Sequence, residues 1–232
     1  MSFLSSFEGW QNREVSRATV LSGQRFVSCK PNGKKIHFYV SGNGDGERVE
    51  KTANVLVGAD CALTRVAQSA GWPKLSMVPL VQAIVELPKD MPSDVCRIWF
   101  IPEDTPYFYW LIPQSPTHGV LGLIGKEGQE IQGHLEHFLQ KKSLEPIEFQ
   151  NAHVAKYTRW IPNHRKIGES NVYLVGDAAG HVKVTTVGGL VTGFRGALGV
   201  TEAILNGGSS NEFHLYPQGC SPMPQVDPQG FG

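Results

Sequence analysis

The segment 171–180, NVYLVGDAAG, constrains this chain more than any other stretch. Its first half is a short continuous apolar run, the pattern of a buried strand, and Gly176 then lets the backbone turn sharply. Gly188 and Gly189 follow a few residues later and open GGLVTGFRGALGVTEAIL, which reads as a long helix rich in small residues. A buried strand, a glycine turn and a helix in this order put Asp177 at the carboxyl end of the strand, where α/β sheets bind ligands.

The residue types at this junction suit a particular ligand chemistry. A carboxylate at a strand end accepts hydrogen bonds from a polyol, and the small Ala178, Ala179 and Gly180 let a bulky group reach the backbone. The helix that Gly188 and Gly189 open presents the positive end of its dipole there, which favours an electron-rich atom. Reduced flavin gathers negative charge along one edge of its ring, so a helix start aimed there favours the reduced form. Taken singly, each feature is equally an ordinary strand end or a packing device.

The rest of the chain reads as short elements broken by turn chemistry. Between Arg17 and Asp60, the turns at Pro31-Asn32-Gly33 and Asn43-Gly44-Asp45-Gly46 predict a three-stranded meander whose last strand runs through VEKTANVLVG. The glycines from Gly42 to Gly46 are followed by a strand, not a helix, so they are a turn and not a dinucleotide fingerprint. Leu63, Val66, Ala67 and Ala70 fall at helical spacing before a stop at Gly71-Trp72-Pro73. VPLVQAIVEL, VCRIWFI, YFYWLIP and HGVLGLIG predict four strands of a mostly antiparallel sheet. QEIQGHLEHFLQKK predicts a helix with Ile131, Leu135, Phe138 and Leu139 on the face that packs against that sheet. His134 and His137 sit three apart on this helix, but no third ligand stands at zinc-site spacing, so they read as a solvated face and no metal is expected.

Strand-GDAAG, a linker and a Gly-Gly helix, in the variant HVKVTTVGGLVTGFRGA, resemble the second FAD motif of the hydroxylase-like flavoproteins, and among them the geranylgeranyl reductase family. VLVGADCALTRVAQ is similar to that family's strand-GADG-helix element, with Cys61 where the family has glycine. TPYFYWLIPQ resembles its Pro-aromatic-Trp-Pro element. Val184 and Val187 stand where the family more often has Pro and Gly. The resemblance covers roughly residues 17–205 and implies an α/β (α+β) fold. A partial FAD-binding domain would take residues 1–66 and 158–205, with an antiparallel substrate domain in 67–157 and a disordered tail in 206–232. It implies FAD as cofactor, held by Gly176, Asp177, Ala178, Gly188, Gly189, Asp60 and Arg65, and an external electron donor. Phe108, Tyr109 and Trp110 would contact an isoprenoid or lipid-like substrate whose carbon–carbon double bonds are reduced. Strand alternation puts Phe108 and Trp110 on one face and Tyr107 and Tyr109 on the other, and one of these faces packs on the helix at 129–141. No residue is singled out as a catalytic acid.

The strand-G-x-G-x-x-G-helix that cradles the FAD pyrophosphate is not found in the 232 residues, so the chain is expected to be a truncated form in which FAD binding is weak or lost. A flavin monooxygenase or halogenase on the same scaffold, or a non-catalytic lipid-binding remnant, are the rival expectations. Composition narrows the partners. Lys plus Arg (21) balances Asp plus Glu (21) without basic runs, which disfavours nucleic acid. The four cysteines are far apart and form no C-x-x-C pair, which fits a reduced, cytoplasmic setting. No stretch approaches the roughly 18 apolar residues of a spanning helix, so any membrane contact is expected to be peripheral.

Overall fold

The structure is a computed structural model and describes residues 18–42, 46–158, 161–183 and 187–207. The expectation of a disordered tail therefore falls almost wholly outside the described residues. Three sheets organise the rest. The first is the expected antiparallel meander of β1 (Arg25–Asn32), β2 (Lys35–Ser41) and β3 (Arg48–Ala53). Its last strand is shorter than the sequence pattern suggests. VEKTANVLVG divides at Asn54, and the apolar part becomes β4 (Val55–Gly58) in a different sheet. The division follows the side chains, because Arg48–Ala53 is polar and largely exposed whereas Leu56 and Gly58 face the interior.

In the second sheet β4 pairs in parallel with β11 (Ser170–Leu174), and β10 (His164–Ile167) pairs antiparallel on the other side of β11. The helix α1 (Arg65–Ser69) lies over this sheet and buries Val66, Ala67, Ala70 and Trp72 against Val172 and Leu174. Trp72 closes the contact by donating its indole N–H to the Pro162 carbonyl at 2.6 Å. Leu63, expected on the apolar face of this helix, precedes it and is 58% exposed. Thr64 starts the helix instead, its hydroxyl accepting from the Ala67 amide at 3.0 Å.

The third sheet has the order β6-β7-β8-β5-β9 and is antiparallel throughout. It comprises β5 (Met77–Glu86), β6 (Arg97–Trp99), β7 (Tyr109–Pro113), β8 (His118–Ile124) and β9 (Pro146–Ala155), the last of which the sequence pattern does not announce. The helix α2 (Gln132–Lys142) covers one face with the four expected side chains, which pack on Val81, Ala83, Leu121 and Leu123. The helix α3 (Leu190–Leu205) buries Gly196, Gly199, Val200 and Ala203, with Val200 and Ala203 against Tyr173 of β11. Leu190, Phe194, Leu198 and Leu205 of α3 are exposed. Among the described residues no helix is long and apolar enough to cross a membrane.

Candidate functional site

Parallel pairing brings the ends of β4 and β11 side by side, and the Val175 amide donates to the Gly58 carbonyl at 2.9 Å across them. Beyond β11 the chain enters a 3-10 turn, Gly176–Ala179, that starts with Gly176 at φ 60° and closes on Gly180 at φ 67°. The Asp177 carboxylate is half-buried here, and burial raises its pKa above the usual range. A Cβ placed on Gly189 would stand 2.5 Å from Asp177 Oδ1, so only glycine lets the start of α3 come this close to the carboxylate. The N-cap of α3 is Gly189, which has no side chain to cap the first turn itself. The strand-end acid and the glycine helix start are thus face to face, with Ala178 buried beneath the turn. A carboxylate beside a glycine helix start fits a ligand offering both hydroxyl groups and an electron-rich ring edge.

Asp60 follows β4 at the same end of the sheet. Its carboxylate accepts from the Arg65 and Val66 amides at 2.7 and 3.2 Å and from the Thr64 hydroxyl at 2.6 Å, so it binds together the loop and α1. Arg65 is exposed. Cys61 has φ 62°, the left-handed conformation that glycine adopts without penalty, and its side chain is exposed. That conformation costs about 1–2 kcal/mol for a residue with a Cβ, while glycine costs about 0.5–1 kcal/mol in extra chain entropy. Cys61→Gly is therefore expected to raise stability by up to about 1 kcal/mol in chemical denaturation. Val187 also has a left-handed φ, 56°, but its side chain is 7% exposed. Loss of about 1.5–3 kcal/mol of burial outweighs the relief there, so Val187→Gly is expected to destabilise. Equal signs for the two exchanges would contradict this account.

Val187 connects the helix start to the third sheet. It packs with Val78 and Ile124, and Tyr107, Trp110 and Val154 lie against the same cluster. Trp110 covers Gly122, where a Cβ would meet the indole at 2.6 Å, and Phe108 stands edge-on to it at 6.3 Å. Phe108 and Trp110 share a face as expected. Tyr109 does not join them: it is fully buried on the opposite face, stacked on Phe138 of α2, and its hydroxyl donates to Asp104 at 2.8 Å. Tyr107, expected beside Tyr109, lies instead with Trp110. The reason is that β7 begins only at Tyr109, so strict alternation does not extend to Tyr107. Thr105 sets the bend before it, donating to the Ile124 carbonyl and accepting from the Tyr107 amide.

Sequence reasoning passed over His181, which sits directly after the GDAAG turn. It is 4% exposed, burial holds its pKa at about 4, and its Nδ1 has no hydrogen-bond partner among the described residues. A Cβ on Gly196 would fall 2.1 Å from that nitrogen, whereas one on Gly193 would stand 3.4 Å from Gly176 Cα. Gly193→Ala is therefore expected to be neutral or to stabilise by about 0.5–1 kcal/mol through helix propensity. Gly196→Ala is expected to cost about 1–3 kcal/mol, since the ring and helix must separate. Thermal unfolding of the two variants checks the opposite signs.

No family model matches the chain, and no curated protein matches it either. Solved structures do. A geranylgeranyl bacteriochlorophyll reductase-like protein from Thermoplasma acidophilum superposes with a TM-score of 0.64 at 18% identity, covering 84% of this chain and 51% of that one. The flavin-dependent halogenase CmlS gives 0.57 at 15%, covering 78% and 35%. The myxobacterial chondrochloren halogenase CndH, an FAD-dependent halogenase, gives 0.54 at 14%, covering 81% and 48%. The chain thus spans about half or less of the length of these proteins. Its mixed helices and mainly antiparallel sheets follow the fold of these proteins over the part they share, in agreement with the expected α/β (α+β) class.

Proposed function

We propose that these residues form the ribityl and ring-edge part of a flavin site, together with the substrate face, of an FAD-dependent oxidoreductase that reduces carbon–carbon double bonds of a geranylgeranyl or related isoprenoid chain. One observation carries this reading: Val187, which leads into the α3 start opposite Asp177, packs in the same cluster as Tyr107 and Trp110. A polyol-gripping carboxylate and an aromatic, apolar surface therefore adjoin one another. Asp177 accepts hydrogen bonds from the ribityl hydroxyls, and Gly188 and Gly189 leave room for the flavin ring. Gly176 and Ala178 shape the turn, while Asp60 keeps the neighbouring loop and Arg65 in place. Phe108 and Trp110 offer an apolar wall to the substrate and exclude water. When bound and reduced, FAD supplies the hydride that adds to the double bond, and a proton from water or a side chain completes the reduction. In this reading residues 1–66 and 158–205 serve the flavin and 67–157 the substrate.

The halogenase superpositions favour a second reading, an oxygen-dependent halogenase or monooxygenase on the same scaffold. Product analysis separates the two in a polypeptide that joins these residues to a G-x-G-x-x-G unit. A geranylgeranyl substrate that gains two hydrogens per double bond with reduced FAD, without oxygen, supports the reductase. A halide- and oxygen-dependent product supports the second reading, and neither product sinks both. The 232-residue polypeptide by itself is expected to purify colourless, since each charge-assisted bond of a pyrophosphate cradle is worth about 1.5–3 kcal/mol. A stoichiometric flavin spectrum would contradict this.

A further inference from the structure

On the face of the third sheet opposite α2, one row of directly paired residues crosses all five strands: Ile98, Trp110, Gly122, Gln82 and Gln150. Its half on β6 and β7 is apolar, and its half on β5 and β9 is a pair of amides. A Cβ on Gly122 would stand 2.6 Å from the Trp110 indole and 2.7 Å from Gln82 Cβ, so the two side chains close in on the same space above the glycine. The neighbouring rows are apolar at β5 and β8, with Leu80 and Ile124 on one side and Ile84 and Val120 on the other. Glu148, paired with Ile84 on the edge strand, is the one charged residue in these three rows.

The amides form a directed chain. Gln82 Nε2 donates to Gln150 Oε1 at 2.8 Å, and Gln150 Nε2 donates to Glu148 Oε1 at 3.3 Å. A carboxylate only accepts, so Glu148 sets the direction of both bonds and leaves Gln82 Oε1 as the accepting end of the chain, beside Trp110. An acceptor in that place suits a hydrogen-bond donor and opposes an anion. The apolar rows around it disfavour a charged donor, which would give up its hydration for a single neutral partner. We infer that this row reads the polar end of the substrate: Gln82 accepts a hydrogen bond from the hydroxyl of an isoprenoid alcohol whose chain lies along Trp110 and Ile98. The inference rests on the substrate face proposed above and adds the class of substrate, an uncharged alcohol and not its phosphate ester.

Titration of the 232-residue polypeptide with farnesol, farnesyl methyl ether and farnesyl diphosphate, followed by tryptophan fluorescence, tests it. The ether accepts a hydrogen bond but has no proton to donate, and it is the more apolar of the two neutral probes. A purely hydrophobic face would therefore hold the ether at least as tightly as the alcohol. The alcohol is expected to bind about three- to ten-fold more tightly than the ether, the effect of one hydrogen bond, and more tightly than the diphosphate. Gln82→Leu is expected to abolish the preference for the alcohol over the ether. That ratio is taken within each protein, so a change in fold stability does not enter it. Binding of the ether or the diphosphate as tight as that of the alcohol or tighter, or an unchanged ratio in Gln82→Leu, would overturn the alcohol assignment and leave the isoprenoid face standing. A fluorescence response that survives in Trp110→Phe, or no response to any of the probes, would overturn that face and the inference with it.

Discussion

Tyr109→Ala is expected to lower the stability of the chain by about 3–5 kcal/mol, seen as a fall in the denaturation midpoint. The side chain is fully buried, its ring centroid is 4.2 Å from that of Phe138, and its hydroxyl is tied to Asp104. Alanine there removes the link between the third sheet and α2 and leaves the Asp104 carboxylate without one of its donors. Burial and the Asp104 carboxylate raise the phenol pKa, so the hydroxyl stays a donor at physiological pH. Tyr109→Phe keeps the packing and is expected to cost only the hydrogen bond, about 1.5–3 kcal/mol or less, since its partner is charged. Trp110→Ala, one residue on, removes a half-buried ring from the other face and is expected to cost less than Tyr109→Ala. A Tyr109→Ala cost no larger than that of Trp110→Ala would contradict the division of the two faces.

Asp177→Ala, in a polypeptide that also carries a G-x-G-x-x-G unit, is expected to weaken FAD binding roughly ten- to a hundred-fold. Without flavin the same exchange is expected to leave stability unchanged or slightly higher. The sign follows from burial. The folded carboxyl has a pKa above its unfolded value, so its ionised form opposes folding, and stability is lost as pH rises through that folded pKa. Alanine abolishes this loss. FAD titration beside melting of the flavin-free protein reads both quantities, and unchanged FAD affinity would remove the main support for the flavin assignment.

Elements whose apolar residues face a core were legible in the sequence. β5, β8, β11 and α2 each bury a continuous face, so local pattern and burial coincide. β9 escaped notice because it is an edge strand, exposed along most of its length with Ile147 54% exposed, and is held by backbone pairing with β5. β10 is four residues long, with Arg165 and Lys166 turned outward, and leaves hardly any pattern to detect. The split at Asn54 depends on a partner, β11, that lies far along the chain. At the site, the pairing of Asp177 with Gly189 was readable because the strand-turn-helix order is local. The shift of Tyr107 to the Trp110 face rests on a bend that Thr105 fixes through Ile124, a contact between strands that no local spacing reveals.

The parallel pairing of Val55–Gly58 with the strand before Asp177 has a kinetic consequence. Hairpins such as β1 with β2 join neighbouring residues and close at little entropic cost, whereas Val55 must find Asn171 across the whole intervening chain. The meander and the antiparallel sheet can therefore form early, and the β4–β11 contact closes behind them. Until it closes, the Asp60 loop and the Asp177 turn share no common edge. Any cofactor that needs both therefore binds only to the completed fold, and by mass action its binding draws the late step to completion.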